Sequence, residues 1–196
     1  LDAAGRSWNK TIIATGIVDP LAIALADIDA DGDLDVVVGA NQLGSVTWFA
    51  NSGLGAFAAV NSAISVDVFG LTALVVADID LDGAADVITT ANHAAPAFDV
   101  VAWHRNIGGD GLTWATVNVT TLLNKPFDVV AFDADADGDQ DLAVASISDR
   151  TVSLFLNSDS AGSFSSRVLI DVGVRGYRSI AAIDIDADGD LDLAAA

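Results

Sequence analysis

One acidic nine-residue pattern occurs four times in this 196-residue chain. Each copy reads D-x-D-x-D-G-x-x-D, with carboxylates at positions 1, 3, 5 and 9 and a glycine at position 6. The four copies are Asp27–Asp35, Asp78–Asp86, Asp133–Asp141 and Asp184–Asp192. Calcium prefers oxygen ligands, and closely spaced aspartates around a glycine turn are typical of calcium loops. The pattern therefore predicts one Ca²⁺ in each of the four loops.

The charge of the chain is concentrated in these loops. The net charge is −20 at pH 7, every acidic residue is Asp, and 19 of the 28 lie in the four copies. Two carboxylates about 4 Å apart repel by roughly 4 kcal/mol at an effective dielectric constant of 20, and a divalent cation reverses that sign. An acidic chain without basic patches argues against nucleic acid and anionic membrane surfaces as partners. No apolar run approaches the roughly 18 residues of a membrane span.

Several weaker features indicate an extracellular or cell-surface protein. Two sequons predict N-glycosylation at Asn9 and Asn118. Calcium loops of micromolar or weaker affinity are filled reliably only outside the cell. The chain has no cysteine, so cysteine usage does not distinguish an oxidising from a reducing compartment. It begins with Leu1 and shows no signal peptide, as expected of a mature segment or a fragment.

The acidic copies mark a longer repeat of short strands. They start at residues 27, 78, 133 and 184, so the spacings are 51, 55 and 51 residues. In each period one apolar strand runs into the loop, a second leaves it, a third ends in Asn and a fourth begins with an aromatic residue. The fourth strands are predicted over Phe57–Ile64, over Trp114–Thr120 and from Phe164 onward. Short Val- and Ile-rich segments between Gly, Asn and Asp are typical of all-β folds.

Four strands in a period near 50 residues predict an all-β fold of antiparallel β-propeller blades. We expect the first two strands of each blade to be buried on both faces, because they are continuous apolar runs. The expected organisation is a single propeller region, with an outer strand of a preceding blade first and an incomplete fourth blade last. The ranges are 1–16 for the outer strand, 17–66, 67–120 and 121–172 for three blades, and 173–196 for the fourth.

These motifs resemble the FG-GAP and VCBS repeats of extracellular calcium-binding β-propellers, including the blades of integrin α-subunit heads. The resemblance rests on A-D-I-D-x-D-G-x-x-D at Ala26–Asp35 and Ala77–Asp86, and on W-F-x-N at Trp48–Asn51 and W-H-x-N at Trp103–Asn106. A literal Phe-Gly occurs only at Phe69-Gly70, so the match is closer to the VCBS variety.

The resemblance implies a set of calcium ligands in each loop. Positions 1, 3, 5 and 9 bind through side chains in that family, and position 7 binds through its backbone carbonyl. The implied side-chain ligands are Asp27, Asp29, Asp31 and Asp35; Asp78, Asp80, Asp82 and Asp86; Asp133, Asp135, Asp137 and Asp141; Asp184, Asp186, Asp188 and Asp192. The implied carbonyl ligands are those of Asp33, Ala84, Asp139 and Asp190.

The residues outside the loops indicate packing rather than chemistry. His104 aligns with Phe49 and Phe155 in the third strands, and Trp48 aligns with Trp103, so we expect all of these at packing positions. Calcium sites saturated by protein oxygens leave no open coordination position for a reaction. With two His, one Tyr and no G-x-S-x-G motif, we expect no catalysis.

The favoured function is a calcium-stabilised structural or adhesive repeat module that assembles with other proteins at the cell surface or in a filament. Two alternatives stay open, a lectin-like propeller that binds glycans and the accessory propeller of a polysaccharide-degrading enzyme. The segment Trp8–Ala14 aligns with the outer strands, and the fourth blade has only two strands. Bare strand edges recruit further strands, so we expect further repeats or another chain to complete the fold.

Overall fold

A computed structural model describes residues 10–53, 55–60, 63–93, 99–173 and 175–196. The described chain contains strands and no helix, so no helix in it is long and apolar enough to cross a membrane. The strands are β1 (Pro20–Ala26), β2 (Asp35–Ala40), β3 (Ser45–Asn51), β4 (Phe57–Ala59), β5 (Leu71–Ala77), β6 (Asp86–Ala91), β7 (Val100–Asn106), β8 (Trp114–Thr120), β9 (Pro126–Phe132), β10 (Asp141–Ser146), β11 (Thr151–Phe155), β12 (Val168–Val172), β13 (Ile180–Ile183) and β14 (Asp192–Ala195).

The strands form three antiparallel four-stranded sheets and one hairpin, which confirms the predicted all-β blade architecture. In sequence order, β1 to β4, β5 to β8 and β9 to β12 each make one meander, and β13 pairs with β14. The first strands β1, β5, β9 and β13 lie side by side in consecutive sheets. The sheets are therefore stacked around the edge of their first strands, as propeller blades are.

The apolar cores lie between consecutive sheets. Val37 and Trp48 of the first sheet pack against Leu71 and Val87 of the second. Equivalent clusters fill the space between the second and third sheets and between the third sheet and the hairpin. The second strands β2, β6 and β10 are buried along their whole length because both of their faces are covered, by neighbouring sheets or, on the outer face of β2, by the segment before β1. The first strands are only partly buried, contrary to expectation, because each lies at the edge of its sheet.

Of the three fourth strands, β8 has the predicted bounds, whereas β4 is shorter and β12 begins later than predicted. β4 ends at Ala59, although a bridge between Val46 and Ser65 resumes the pairing further along. The strand expected from Phe164 begins at Val168, and Phe164 itself makes one isolated bridge to Asn157. The Ser165 hydroxyl accepts the Leu156 N–H at 3.0 Å, so a side chain replaces the ladder bond there.

The segment before β1 covers an apolar face. The predicted outer strand Trp8–Ala14 lies partly outside the described residues, and residues 10–19 form no strand. Ile13, Ala14 and Ile17 instead pack on Val36, Val38 and Phe49 of the first sheet. The sheets do not close into a ring within the described chain. Large apolar side chains stay exposed at both ends of the stack, namely Leu21, Ile23 and Leu25 at the first and Ile183 and Ile185 at the last.

Candidate metal centres

The four acidic loops occupy one structural position. Each connects the first strand of a sheet to the second, with the position 1 aspartate directly after the first strand and the position 9 aspartate opening the second. In each loop, carboxylate oxygens from positions 1, 3 and 9 lie within 4.8 Å of one another. The triads are Asp27, Asp29 and Asp35; Asp78, Asp80 and Asp86; Asp133, Asp135 and Asp141; Asp184, Asp186 and Asp192. Three of the four predicted side-chain ligands thus converge in every loop.

The backbone of each loop turns at two left-handed residues. The position 6 glycines have φ between 89° and 100°, a region that glycine enters without steric penalty. Position 4 is also left-handed, with φ near 60° at Ala30, Leu81, Ala136 and Ala187. Alanine and leucine carry no sequence signal for this conformation, so sequence analysis identified the first turn and missed the second.

Positions 1 and 5 also hold the loop backbone in place. Asp27 accepts the N–H groups of Asp31 and Gly32 at 3.1 and 2.9 Å, and Asp78 does the same in the second loop. The position 5 carboxylates lie outside the triads and accept the N–H of position 7, as Asp31 does from Asp33 at 2.9 Å. In each of these bonds position 5 uses Oδ1, so the bond leaves Oδ2 uncommitted, and in the second loop Arg105 contacts that Oδ2.

The position 7 side chains lie away from the triads. Ser160 donates its N–H and hydroxyl to the Asp139 carboxylate at 2.7 and 2.5 Å. A side chain at Gly53 would approach Asp33 within 2.5 Å, so this glycine also faces position 7. Position 7 therefore contacts the turn between the third and fourth strands. This placement fits a residue that offers a metal only its carbonyl, as Ala84 must in the second loop.

The position 9 aspartates are buried in the first three loops. Asp35, Asp86 and Asp141 are fully buried, and each accepts the N–H of loop position 2 and that of the Asn ending the third strand. The distances to the Asn51, Asn106 and Asn157 N–H groups are 2.7 to 2.8 Å. Two donated N–H groups fix both oxygens of each carboxylate at the floor of its loop.

Each triad contains a buried carboxylate oxygen without a hydrogen-bond donor in the described chain. These atoms are the Oδ1 atoms of Asp29, Asp80, Asp133 and Asp184. A buried acceptor without a partner costs about 1–3 kcal/mol, and more if it is charged. Such groups are rare in native proteins, and a bound ion is one explanation for them. A hard cation with several oxygen ligands satisfies this donor set, so the residues fit Ca²⁺.

Without a bound cation, the surroundings of the triads disfavour the ionised form of their aspartates. Burial, followed by the neighbouring Asp35 and Asp31 charges, raises the pKa of Asp29. Burial also raises the pKa of Asp35 and Asp141, and raises that of Asp86 to about 6. A divalent cation inverts these shifts because it favours the ionised carboxylates.

The second loop carries two contacts of its own. The Trp103 indole N–H donates to Asp86 Oδ2 at 2.9 Å. The guanidinium of Arg105 lies beside the same loop, with Nε 2.5 Å from Asp80 Oδ2 and Nη2 3.2 Å from Asp82 Oδ2. The pair at Asp80 is an ion contact without the alignment of a hydrogen bond. Sequence analysis did not identify Arg105, because its counterparts in the other third strands are Ala50 and Leu156.

Two of the three asparagines at the ends of the third strands, Asn106 in β7 and Asn157 just after β11, link consecutive sheets through the loops. The Asn106 side-chain amide donates to the Ile28 carbonyl of the first loop, and Asn157 donates to the Ile79 carbonyl of the second, both at 2.8 Å. Asn51 instead donates to Leu34 of its own sheet at 3.0 Å. The repeated Asn was visible in the sequence, but its contact with the preceding loop required the blade stacking.

The histidine and tryptophans assigned to packing are buried. His104 has no exposed surface, and its ring nitrogens contact the Thr89 and Thr116 hydroxyls at 3.0 and 2.9 Å. Trp48 and Trp103 are 1% and 3% exposed, which confirms their packing positions. Of the two sequons, Asn118 is exposed in β8, and Asn9 lies outside the described residues.

Comparisons with known proteins agree with this architecture. The model of a family described as an FG-GAP-like repeat matches residues 27–89 and 133–195. No curated protein matches the chain. Matching solved structures include that of an Agrocybe aegerita lectin, described as specifically recognising non-reducing terminal N-acetylglucosamine. The match has 23% identity and a TM-score of 0.60, and it covers 86% of this chain and 44% of the lectin. The chain therefore spans less than half the length of that lectin.

Proposed function

We propose, since the chain belongs to the FG-GAP-like repeat family, that it is a calcium-stabilised extracellular repeat module with a structural or adhesive role and no catalytic activity. In this proposal the module binds about four Ca²⁺, one per acidic loop. Its partners are other protein chains or further repeats, which pack on the exposed faces at the ends of the blade stack.

The observation that carries the calcium proposal is the buried carboxylate oxygen left without a donor in each of four equivalent loops. The triads at positions 1, 3 and 9 would hold the ion, with position 5 and the position 7 carbonyl completing the shell. The bound ion supplies the positive charge that offsets the repulsion between the aspartates. The loops then fix the first strand of each blade to the second and hold the Asn that reaches in from the next blade.

The calcium-loop pattern and the exposed sequon at Asn118 support an extracellular setting for this module. Ligand linkage adds about 2.7 kcal/mol of stability per site when free calcium is 100 times the dissociation constant. Millimolar calcium outside the cell reaches that ratio for sites of roughly 10 µM affinity, which is within the range of calcium loops. Calcium would therefore act as a permanent structural element there.

The test is the thermal unfolding of the protein in calcium and after complete metal removal. We expect a large fall in the melting temperature on chelation, recovery on adding Ca²⁺, and weaker recovery with equimolar Mg²⁺, which demands octahedral geometry and fewer carboxylates. Metal analysis must show that the chelated sample is empty. An unchanged melting temperature in that empty sample would refute the proposal.

Glycan binding is the second candidate, and the likeness to the fungal lectin favours it. At 23% identity that likeness shows the fold alone, so the sugar and its pocket do not transfer to this chain. A glycan array probed with the calcium-loaded protein distinguishes the two candidates. Saturable binding to a defined glycan class would support a glycan-binding function. No binding above a denatured control would favour the structural or adhesive module.

A further inference from the structure

The second loop differs from the others in carrying its own cation. Arg105 lies at the end of β7, and its guanidinium contacts Asp80 Oδ2 at 2.5 Å and Asp82 Oδ2 at 3.2 Å. The equivalent residues of the other two four-stranded sheets are Ala50 and Leu156, which carry no charge. Among the described residues, the second loop is the one with an arginine ion pair to its candidate ligands.

The second loop also has the smallest negative charge. Its position 7 is Ala84, where the other loops have Asp33, Asp139 and Asp190. Four carboxylates and one guanidinium therefore give a local charge of −3, against −5 for each of the other loops. Calcium affinity rises with the number of ligand charges, and the guanidinium offsets one of them. The missing position 7 carboxylate is not a ligand, but its absence lowers the negative potential near the loop.

The guanidinium enters the loop from the solvent side. The Arg105 side chain is 44% exposed, whereas that of Asp80 is 4% exposed. The arginine can therefore leave the carboxylates without disturbing the packed core, while Asp80 stays in place to bind a metal. The Arg105 guanidinium contacts two candidate ligands and can move away from them. It therefore competes with Ca²⁺ for the negative charge of Asp80 and Asp82.

We propose that Arg105 is a resident counter-cation of the second loop, which lowers its calcium affinity and makes it the exchangeable site of the module. This inference rests on the proposed calcium binding. In the metal-free protein Arg105 offsets part of the repulsion between Asp80 and Asp82, so the second loop keeps its shape. At high calcium the ion displaces the guanidinium, which becomes free at the protein surface. The other loops have no such substitute and depend on the metal.

Calcium titration calorimetry of the metal-free protein tests the inference, with three variants as comparison. For the native protein we expect a tight class of sites and one weaker site. Arg105→Gln should tighten the weak site by about threefold to tenfold, as expected for removing one partly exposed charge. Arg105→Lys keeps the charge and should stay near the native affinity. Ala50→Arg places the same side chain beside the first loop and should create a second weak site.

Terbium luminescence of the native protein and of Trp103→Phe assigns the weak site to the second loop. Trp103 donates to Asp86 at 2.9 Å, whereas Trp48 packs on Ile28 of the first loop, so the emission that Trp103→Phe loses comes from Tb³⁺ in the second loop. Displacement of Tb³⁺ by Ca²⁺ should report the change caused by Arg105→Gln. An unchanged or weaker second site in Arg105→Gln would overturn the inference, because the arginine would then be neutral or would help to position Asp80. Absence of calcium binding at every loop of the native protein would instead refute the proposed function.

Discussion

The first three acidic loops and the fourth share one sequence pattern, yet their surroundings differ. Asp35, Asp86 and Asp141 are fully buried and accept an N–H from the Asn at the end of the third strand, whereas Asp192 is exposed and, among the described residues, accepts the Ile185 N–H alone, at 3.0 Å. The fourth loop belongs to a two-stranded hairpin without a third strand in the described chain. The nine-residue pattern therefore specifies the loop and its triad, while the third strand and the next blade bury the site.

Replacing the position 9 aspartate tests this difference most strongly. Asp141→Ala leaves the buried Asn157 N–H without an acceptor, at a cost of about 1–3 kcal/mol, and also removes the acceptor of the part-buried Ala134 N–H. Asp192→Ala exposes its donor to water and should cost under about 1 kcal/mol. Urea unfolding of both variants after complete metal removal measures the two effects without the contribution of bound calcium. Equal destabilisation would show that burial of the ninth residue does not distinguish the loops.

The asparagines provide a second, smaller comparison. Asn157→Ala removes the 2.8 Å bond to the Ile79 carbonyl of the preceding loop, and Asn51→Ala removes a 3.0 Å bond within one sheet. Asn157 is buried and Asn51 is half-buried, so we expect losses of about 2 and about 1 kcal/mol respectively. Denaturant titration checks the order. A larger loss for Asn51 would argue that the link between blades contributes little.

His104 makes the stability of the second blade depend on pH in a way that the other blades, which have no histidine, do not share. Burial lowers its pKa to about 4 from 6.5, so the folded protein holds the imidazole neutral while the unfolded chain binds a proton below pH 6.5. The contribution of the neutral His104 to the free energy of unfolding is fully present above pH 6.5. It is lost as the pH falls toward 4, by up to about 3 kcal/mol. Phenylalanine occupies the equivalent position of the other two blades, as Phe49 and Phe155. His104→Phe should therefore fit this site and remove this part of the acid sensitivity.

The measurement is the difference in unfolding free energy between native protein and His104→Phe at pH 7 and at pH 4.5. Titration of the aspartates occurs in both proteins and cancels in the difference. At pH 7 the variant loses two contacts with threonine hydroxyls, so it should be slightly less stable than the native protein. A difference that does not change with pH would contradict the buried neutral histidine.

The smallest effect concerns the two sequons. Asn118 is exposed on the outer strand β8, where a glycan is tolerated and protects an open strand edge. We predict a glycan at Asn118 or Asn9 in material from a eukaryotic source, with little change in stability. Intact-mass analysis before and after enzymatic deglycosylation checks this. Bare peptide at both positions would contradict the prediction.

Much of the fold was predictable because its signals are local. The loops, their glycine turns and the first three strands of each blade follow from the spacing of Asp, Gly and short apolar runs. Among the fourth strands, β8 has its predicted bounds, whereas β12 begins later than Phe164 because the Ser165 hydroxyl takes the place of a ladder acceptor there. The residues before β1 were predicted as a strand, but in the described part they cover Val36 and Val38 as a non-strand segment.

The contacts that sequence analysis missed depend on how the blades stack. The left-handed Ala30 has no compositional signal, and the Asn106 bond to Ile28 joins residues 78 positions apart. Arg105 occurs once, so a search for repeated features overlooks it. The ligand pattern, in contrast, repeats four times and predicted the convergence of positions 1, 3 and 9.

The most direct test of the account is the amount of calcium bound per chain, measured on native protein that was first stripped of metal and then equilibrated with excess Ca²⁺. We predict a value approaching four, and a loss of one ion in each of Asp27→Ala, Asp133→Ala and Asp184→Ala. Folded native protein that binds no calcium under these conditions would contradict the central claim.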